Sequence, residues 1–409
     1  MSRTTNLPVR TAIALAFLLT ALAPGPQVFA LPAATTFSLA ASWPMLGHDA
    51  GQSYADPVGS IAPSAVPLLH LRWQAAGLTP RIEAGGVVYA LDGTGHVLAM
   101  NAASGTLVYK YLTSGVKSVA YKAPLLYLNR GSEIRLVVAS SAALAGTAAA
   151  PSSNHQIPSF ASIVLSGSYI YTGIGATGPG TLARFFAFDA ATGSLVWQDS
   201  GSMTSVPCIA GSTLYMSYGP FGSADSYLID PATGVQRTVI RGLGALQWNS
   251  AGTMLYASVL SGSGSNLQAS TRAYDQDGHL KYVAHDMLFG AALPDELLGL
   301  LPGAVDARSA TTGRRLWETQ VPGLASVALG SLDSHQVAVS GNLVIVQADD
   351  GEVVLLDRTT GQLLDTLQPP FSGTAAKNLI VGGGIIFESI SPTLKTGKAG
   401  PPTLLAFGP

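Results

Sequence analysis

VVYALDGTGHVLAMNAASGTLVYKY, residues Val87 to Tyr111, contains the unit by which the rest of the chain is phased. It reads as three short strands joined by two tight turns. Val87 to Leu91 is apolar at almost every position, the pattern of a strand buried on both faces, so it is an inner strand. Thr106 to Tyr111 places Leu107, Tyr109 and Tyr111 on one side and Thr106 and Lys110 on the other, the alternation of an outer strand. Asp92-Gly93 has the chemistry of a two-residue hairpin turn, with Gly93 supplying a positive φ. Gly105 closes a longer turn in which Asn101 hydrogen-bonds the backbone ahead of it.

The end of this unit recurs. Asp189-Ala190-Ala191-Thr192-Gly193 is followed by Trp197, and Asp230-Pro231-Ala232-Thr233-Gly234 has Thr238 at the same spacing. Asp275-Gln276-Asp277-Gly278 leads to Tyr282, Ser309-Ala310-Thr311-Thr312-Gly313 to Trp317, and Asp357-Arg358-Thr359-Thr360-Gly361 to Asp365. Each copy reads as a strand-to-strand turn in which the Asp caps backbone amides and Gly takes the left-handed conformation, after which a large aromatic docks on the neighbouring unit. Docking should be weaker where Thr238 and Asp365 stand in the aromatic place.

From Gly105 to Gly193 is 88 positions, and the later glycines follow at 41, 44, 35 and 48. Eighty-eight is two units of 44. An unmarked unit therefore lies between Tyr111 and Ser159, where APLLYLN and EIRLVVASS supply strands and the Ala/Ser/Pro stretch from Ala142 to Ser153 replaces the usual turn. A last unit runs from VGGGIIFESI to TLLAFGP and stops before its turn and outer strand. Six marked units, one unmarked and one open make eight, with the period of a propeller blade and too long for a β-helix coil. The expected fold is all-β, a single eight-bladed β-propeller of four-stranded antiparallel blades over residues 43–409. The isolated strand Leu68 to Gln74 should join the C-terminal blade and so remove its open edge.

The opening of this region, with Trp43, Gly47 and Asp49 followed by a strand ending in Trp73, and the repeated Asp-x-x-Thr-Gly with its aromatic, together resemble the propellers with pyrroloquinoline-quinone-like (PQQ-like) repeats. These belong to the quinoprotein alcohol dehydrogenase-like superfamily. The resemblance marks Trp43, Trp73, Gly105, Asp189, Gly193, Trp197, Asp230, Gly234, Gly278, Gly313, Trp317, Asp357 and Gly361 as structural repeat positions. It implies two functions. One is a non-catalytic scaffold that binds a protein, glycan or cell-envelope partner through its blade-connecting loops; the resemblance includes barrel-assembly scaffold lipoproteins with this fold. The other is a quinone-dependent dehydrogenase, with a calcium-bound quinone and an acidic general base. Many of the alcohol dehydrogenases set a vicinal cysteine pair against the quinone, and a chain with only Cys208 has no such pair. No residue matches the metal or base roles by motif. The non-catalytic reading is therefore preferred, with no cofactor and no catalytic or metal residue assigned.

Composition agrees with a turn-rich β protein: 46 Gly and 25 Pro among 409 residues, and 11% charged residues against about 25% in an average soluble domain. Arg3 and Arg10, the apolar run Ala12 to Ala23 and the small-residue site ending at Ala30 read as a secretory signal over residues 1–30, followed by a linker at 31–42. The run is shorter than the roughly 20 residues of a spanning helix. With no cysteine near the cleavage site, a secreted or extracytoplasmic monomer without a lipid anchor is expected. Loss of Arg3 and Arg10 takes the formal charge from -2 to -4, so no basic stripe invites nucleic acid.

Other motifs dissolve in context. Gly173-Ile174-Gly175-Ala176-Thr177-Gly178 has the spacing of a dinucleotide loop, but Pro179-Gly180 and the strand ARFFAFD follow where a helix would open. Ser114 and Lys117 match S-x-x-K in a connection, where no helix aims the lysine at the serine. Asp349-Asp350-Gly351-Glu352 sits between LVIVQA and VVLLD as a hairpin turn and lacks the spaced ligands of a calcium loop. Trp248, the one tryptophan outside the family positions, is the remaining ligand candidate, as a ring to stack on a planar molecule at a central channel.

Overall fold

The computed structural model describes residues 43–49, 52–111, 113–151, 160, 162–174, 184–200, 206–218, 225–240, 246–261, 268–324, 336–376 and 378–409, all within the compact unit 37–409. The expected signal and linker lie outside them. The described strands form eight sheets. Blade 1 comprises Leu78–Ala84, Val87–Asp92, Val97–Asn101 and Leu107–Tyr111. Blade 2 comprises Ser118–Lys122, Leu125–Asn129, Glu133–Val138 and Leu144–Ala149. Blade 3 comprises Val164–Ser166, Tyr169–Ile174, Arg184–Asp189 and Leu195–Ser200, and blade 4 Cys208–Ala210, Thr213–Tyr218, Asp225–Ile229 and Gln236–Ile240. Blade 5 comprises Leu246–Trp248, Leu255–Ser261, Gln268–Tyr274 and Leu280–His285, and blade 6 Leu288–Ala292, Glu296–Leu301, Ala304–Ser309 and Arg315–Gln320. Blade 7 comprises Val337–Ser340, Leu343–Gln347, Val353–Asp357 and Leu363–Leu367.

Blade 8 draws on both ends of this region. Ile385–Pro392 pairs with Ile380–Gly382, with Gly373–Ala375 and with Thr403–Gly408, and the fourth strand is His70–Ala76, antiparallel to Thr403–Gly408 with Trp73 opposite Ala406. The first strand of blade 8 lies against that of blade 1. The protein is thus an all-β, eight-bladed propeller of antiparallel blades. Among the described residues the one helical piece is the 3-10 segment Pro63–Leu68, and no helix is long and apolar enough to cross a membrane.

Burial explains the order of strands. Second and third strands such as Leu343–Gln347 and Val353–Asp357 are buried nearly throughout, because both faces meet neighbouring blades, whereas fourth strands such as Leu107–Tyr111 expose most side chains. Antiparallel succession puts the 1–2 and 3–4 turns of every blade at one end of the ring, the turn end. The 2–3 connections and the links between blades lie at the other, the loop end. Longer connections, such as Ile174 to Arg184 and Pro392 to Thr403, belong to the loop end.

Two local expectations need correction. The turn after Asp92 is not a two-residue Asp-Gly turn: the strands end at Asp92 and begin at Val97, and the left-handed residue is Gly95, φ 76°. Asp92 Oδ1 accepts from the Thr94 and His96 amides, which pulls four residues into the turn. Gly95 also passes so close to the connection at Gly115 and Val116 that a Cβ would stand 2.8 Å from the Val116 nitrogen. In blade 2, the Ala/Ser/Pro stretch does not merely replace a turn. Its residues Leu144–Ala149 are the fourth strand, reached through Ala142 at φ 52°.

Candidate functional site at the axis and seams of the ring

The side chains carrying the repeat sit where successive blades meet. Trp73 of blade 8 lies on Gly105 in the 3–4 turn of blade 1 and donates from Nε1 to the Ala102 carbonyl at 2.9 Å. Trp197 does the same with Gly234 and the Pro231 carbonyl (2.8 Å), and Trp317 with Gly361 and the Arg358 carbonyl (2.7 Å). A Cβ on any of these three glycines would stand 2.6 to 2.7 Å from an indole carbon, and all three have positive φ, so space and backbone both demand glycine. The turns are capped from within: Asp189 Oδ1 accepts from the Ala191 and Thr192 amides and the Thr192 hydroxyl, and these bonds, the hydroxyl's foremost, hold its carboxyl below the usual range. Asp230 and Asp357 cap their turns in the same way.

A β-bulge aims the docking residue. Ala187 pairs with Trp197 but Phe188 with Leu195, and the same one-residue slip precedes Tyr109, Thr238, Tyr282, Trp317 and Asp365. Tyr282 covers Gly313 as the tryptophans cover theirs. At Thr238 the contact passes to Ile240, two residues on and on the same side, which meets Gly278. Asp365 faces the seam with blade 8, whose fourth strand arrives from the chain start. No continuous 3–4 turn exists there for an aromatic to cover. At blade 2 the small side chains let backbones touch: a Cβ on Gly193 would lie 2.7 Å from the Thr147 carbonyl carbon, and one on Gly146 2.7 Å from the Thr192 oxygen.

The axis is crossed at the turn end by the segment from Trp43 to Ile61. Trp43 exchanges backbone hydrogen bonds with Glu83 of blade 1 (2.8 and 3.0 Å), and the Pro44 carbonyl accepts from Tyr121 of blade 2. Gln52 Nε2 donates to the Pro207 carbonyl beside blade 4, and the Ser53 carbonyl accepts from Ala292 of blade 6. Ala55–Asp56 runs parallel to Val339 and Ser340 of blade 7, and Ser340 Oγ accepts from the Ser60 and Ile61 amides. Gln52, Ser53, Tyr54, Ala55 and Asp56 are all buried. The left-handed residues His48, Gln52 and Tyr54 let so short a stretch touch five blades. Beneath it, between Trp43, Leu46 and Tyr54 on one side and Pro80, Arg81 and Ile380 on the other, is a cavity of about 30 Å³.

Trp248 packs in the core between blades 4 and 5, 1% exposed, with Tyr215 edge-on at 5.1 Å. Cys208 is buried in the same cluster, and burial pushes its thiol up. Gly173 and Ile174 end a strand, residues 175–178 lie outside the described residues, and the strand from Arg184 follows. Ser114 lies in the link between blades 1 and 2, its carbonyl accepting from Arg130. Asp349 to Glu352 form the hairpin turn between Leu343–Gln347 and Val353–Asp357. Asp275, Asp277 and His279 bring three potential metal-ligating atoms together, but on an exposed 3–4 turn.

Among the described residues, none of these places fits a quinone. A cavity of this size holds one or two waters, whereas pockets for drug-sized ligands span about 300 to 1,000 Å³. The tryptophan candidate faces a seam, and the three-ligand cluster sits on the exposed turn between the third and fourth strands of blade 5. What the sequence did not flag is a set of buried carboxyls. Glu83, Glu296 and Glu388 are at most 5% exposed, and burial pushes them up to about 7, about 7 and about 8. Their signal in the sequence is a lone acid within an apolar strand, as in IIFESI.

The family model described as outer membrane protein assembly factor BamB matches residues 70–237 and 302–387, more than half of the chain. No curated protein matches by sequence. Among solved structures, quinohemoprotein alcohol dehydrogenase from Comamonas testosteroni is similar at a TM-score of 0.64 and 13% identity, covering 90% of this chain and 81% of that one. BamB from Moraxella catarrhalis is similar at 0.56 and 17%, covering 83% and 97%. The computationally designed Ika8 protein is similar at 0.60 and 14%, covering 82% and 96%. At these identities the structural likeness carries the fold alone.

Proposed function

Because the chain belongs to the family described as outer membrane protein assembly factor BamB, we propose that it is a non-catalytic scaffold, exported by its N-terminal signal, that holds a protein partner of the cell envelope at the loop end of the ring. The observation carrying this reading is the crossing of the axis by Trp43 to Ile61, which fills the turn end with the protein's own side chains; the cavity beneath it, among the described residues, is about 30 Å³. Binding then falls to the loop end, where the longer connections are. A photo-crosslinker at Lys395, in the loop-end connection of blade 8, should give protein adducts in the envelope, and one at Ala191, on a turn-end turn, should not. Adducts from Ala191 alone would overturn the assignment of the face.

The alternative of a quinone-dependent dehydrogenase has the likeness to the Comamonas enzyme in its favour. It is tested by melting with pyrroloquinoline quinone and calcium. A ligand at 100 times its Kd stabilises a fold by about 2.7 kcal/mol whether or not turnover occurs, and no such rise is expected. Export is tested by terminal sequencing of protein from the medium, which should begin at Leu31. A start at Met1 would refute it.

A further inference from the structure

Blade 8 meets a buried acid at each of its two seams, Glu83 of blade 1 and its own Glu388. On the blade 1 side, Glu83 is 1% exposed. Its Oε1 accepts from the Gly86 amide at 2.8 Å, while Oε2 has no hydrogen-bond partner among the described residues and lies against Gly382 in the first strand of blade 8, where only a glycine leaves it room. On the blade 7 side, Glu388 is fully buried. Its Oε2 accepts from Gln347 Nε2 at 2.7 Å, and Oε1 has no partner among the described residues. Among those residues neither carboxyl makes an ion pair. A buried carboxylate with one oxygen unserved is costly, and a neutral acid in the same place costs much less.

Among the described residues, the groups around the two acids are these. Glu83 faces Tyr89 of the second strand of blade 1, which in turn stacks on Tyr121 of blade 2. Its own strand adds Arg81, on the wall of the axial cavity. The crossing segment presents Trp43, with His48 edge-on to that indole at 5.1 Å, and Ile380–Gly382 of blade 8 has no titratable group. Glu388 faces Gln347, with Asp350 near enough to disfavour its ionisation and Asp349 beyond, bonded to Gln336. The adjoining Thr403–Gly408 and Gly373–Ala375 have no titratable group.

We propose that blade 8 is a protonation-sensitive clasp: neutral Glu83 and Glu388 let its two faces seat against blades 1 and 7, and their ionisation loosens the one blade that joins the two ends of the ring. The proposal is independent of which partner the ring binds. Burial places the two transitions at about 7 and about 8, so the clasp tightens in acid and slackens in alkali. Between the ordinary carboxyl value and these raised values, each tenfold fall in proton concentration loosens the clasp by up to tenfold per acid.

The test is amide exchange at pH 5.5 and 9, corrected for base catalysis, in His70–Ala76 and Thr403–Gly408 of blade 8 and in Tyr169–Ile174 of blade 3 as a reference. In the wild-type chain the blade 8 strands should lose protection by about a hundredfold or more relative to blade 3. In the double variant E83Q/E388Q, whose amides keep both observed hydrogen-bonding arrangements and cannot ionise, the excess loss should vanish. Equal loss in the two blades of the wild type, or an unchanged excess in the double variant, would overturn the proposal. Should the double variant not fold, the single variants each have to remove part of the excess, and the wild-type comparison decides by itself.

Discussion

Replacement of Trp73 by alanine strikes the seam where the chain start meets the ring. The indole is half-buried, tilted at 6.0 Å from Phe387, laid on Gly105 and bonded through Nε1 to the Ala102 carbonyl. A fully buried Trp→Ala costs about 3 to 5 kcal/mol. Partial exposure reduces the burial share, while the lost hydrogen bond adds about 1 kcal/mol and the aromatic contact about 0.5 to 1 kcal/mol. A loss of about 3 kcal/mol is expected. Urea unfolding followed by circular dichroism measures it, with an unchanged slope if the ring still melts as one body. Trp73→Phe separates the parts: it keeps the ring face and loses the donor, so a loss of about 1 to 2 kcal/mol should remain. A loss under about 1 kcal/mol for the alanine variant would refute the reasoning, since it would mean that covering Gly105 contributes nothing to closure.

Gly361→Ala should cost about 3 kcal/mol in the same assay, because a left-handed alanine is strained by about 1 to 2 kcal/mol and its Cβ would meet Trp317 at 2.6 Å. Asp365→Trp should give no gain in melting temperature, since its seam has no 3–4 turn to cover. Stability should fall as pH rises from about 4.5 to 8 and then level off. Glu83, Glu296 and Glu388 have folded values raised above the unfolded one, so the native chain binds more protons across that window, and each contributes at most about 3 to 5 kcal/mol to the decline. A urea series across pH that rose instead would reverse the direction assigned to these carboxyls.

The blades were legible because a turn of this kind leaves local marks: a capping Asp, a glycine and an aromatic at fixed spacing. Gly193 with Trp197 and Gly313 with Trp317 phase the chain without reference to anything distant. Blade 2 carried no mark because its seam is built from absence of side chains, Gly146 against Thr192 and Gly193 against Thr147, and small residues read as linker. Gly95 was missed for a related reason, since its need for glycine comes from a chain segment about twenty residues on, at Gly115 and Val116. The crossing of the axis by Trp43 to Ile61 leaves no periodic trace at all. Its partners lie on five blades, and only Pro and Gly hinted that the stretch was irregular. Trp248 shows the limit from the other side: an aromatic on an innermost strand reads equally as a channel wall or as a seam, and the choice depends on which way one short strand is turned.

The pairing of His70–Ala76 with Thr403–Gly408 has a consequence for how the molecule is made. Joining Trp73 to Ala406 closes a loop of about 330 residues, at an entropic cost of about 5 kcal/mol. That cost grows so slowly with length that it does not forbid the contact, but nothing can repay it until the last strand exists. During synthesis the early strand must wait with its edge unpaired, and blades 1 to 7 form a partial ring whose final wedge is missing. A chain cut short anywhere before Thr403 leaves that edge open for good, so the closing joint itself reports, by simple geometry, whether Thr403–Gly408 has been made.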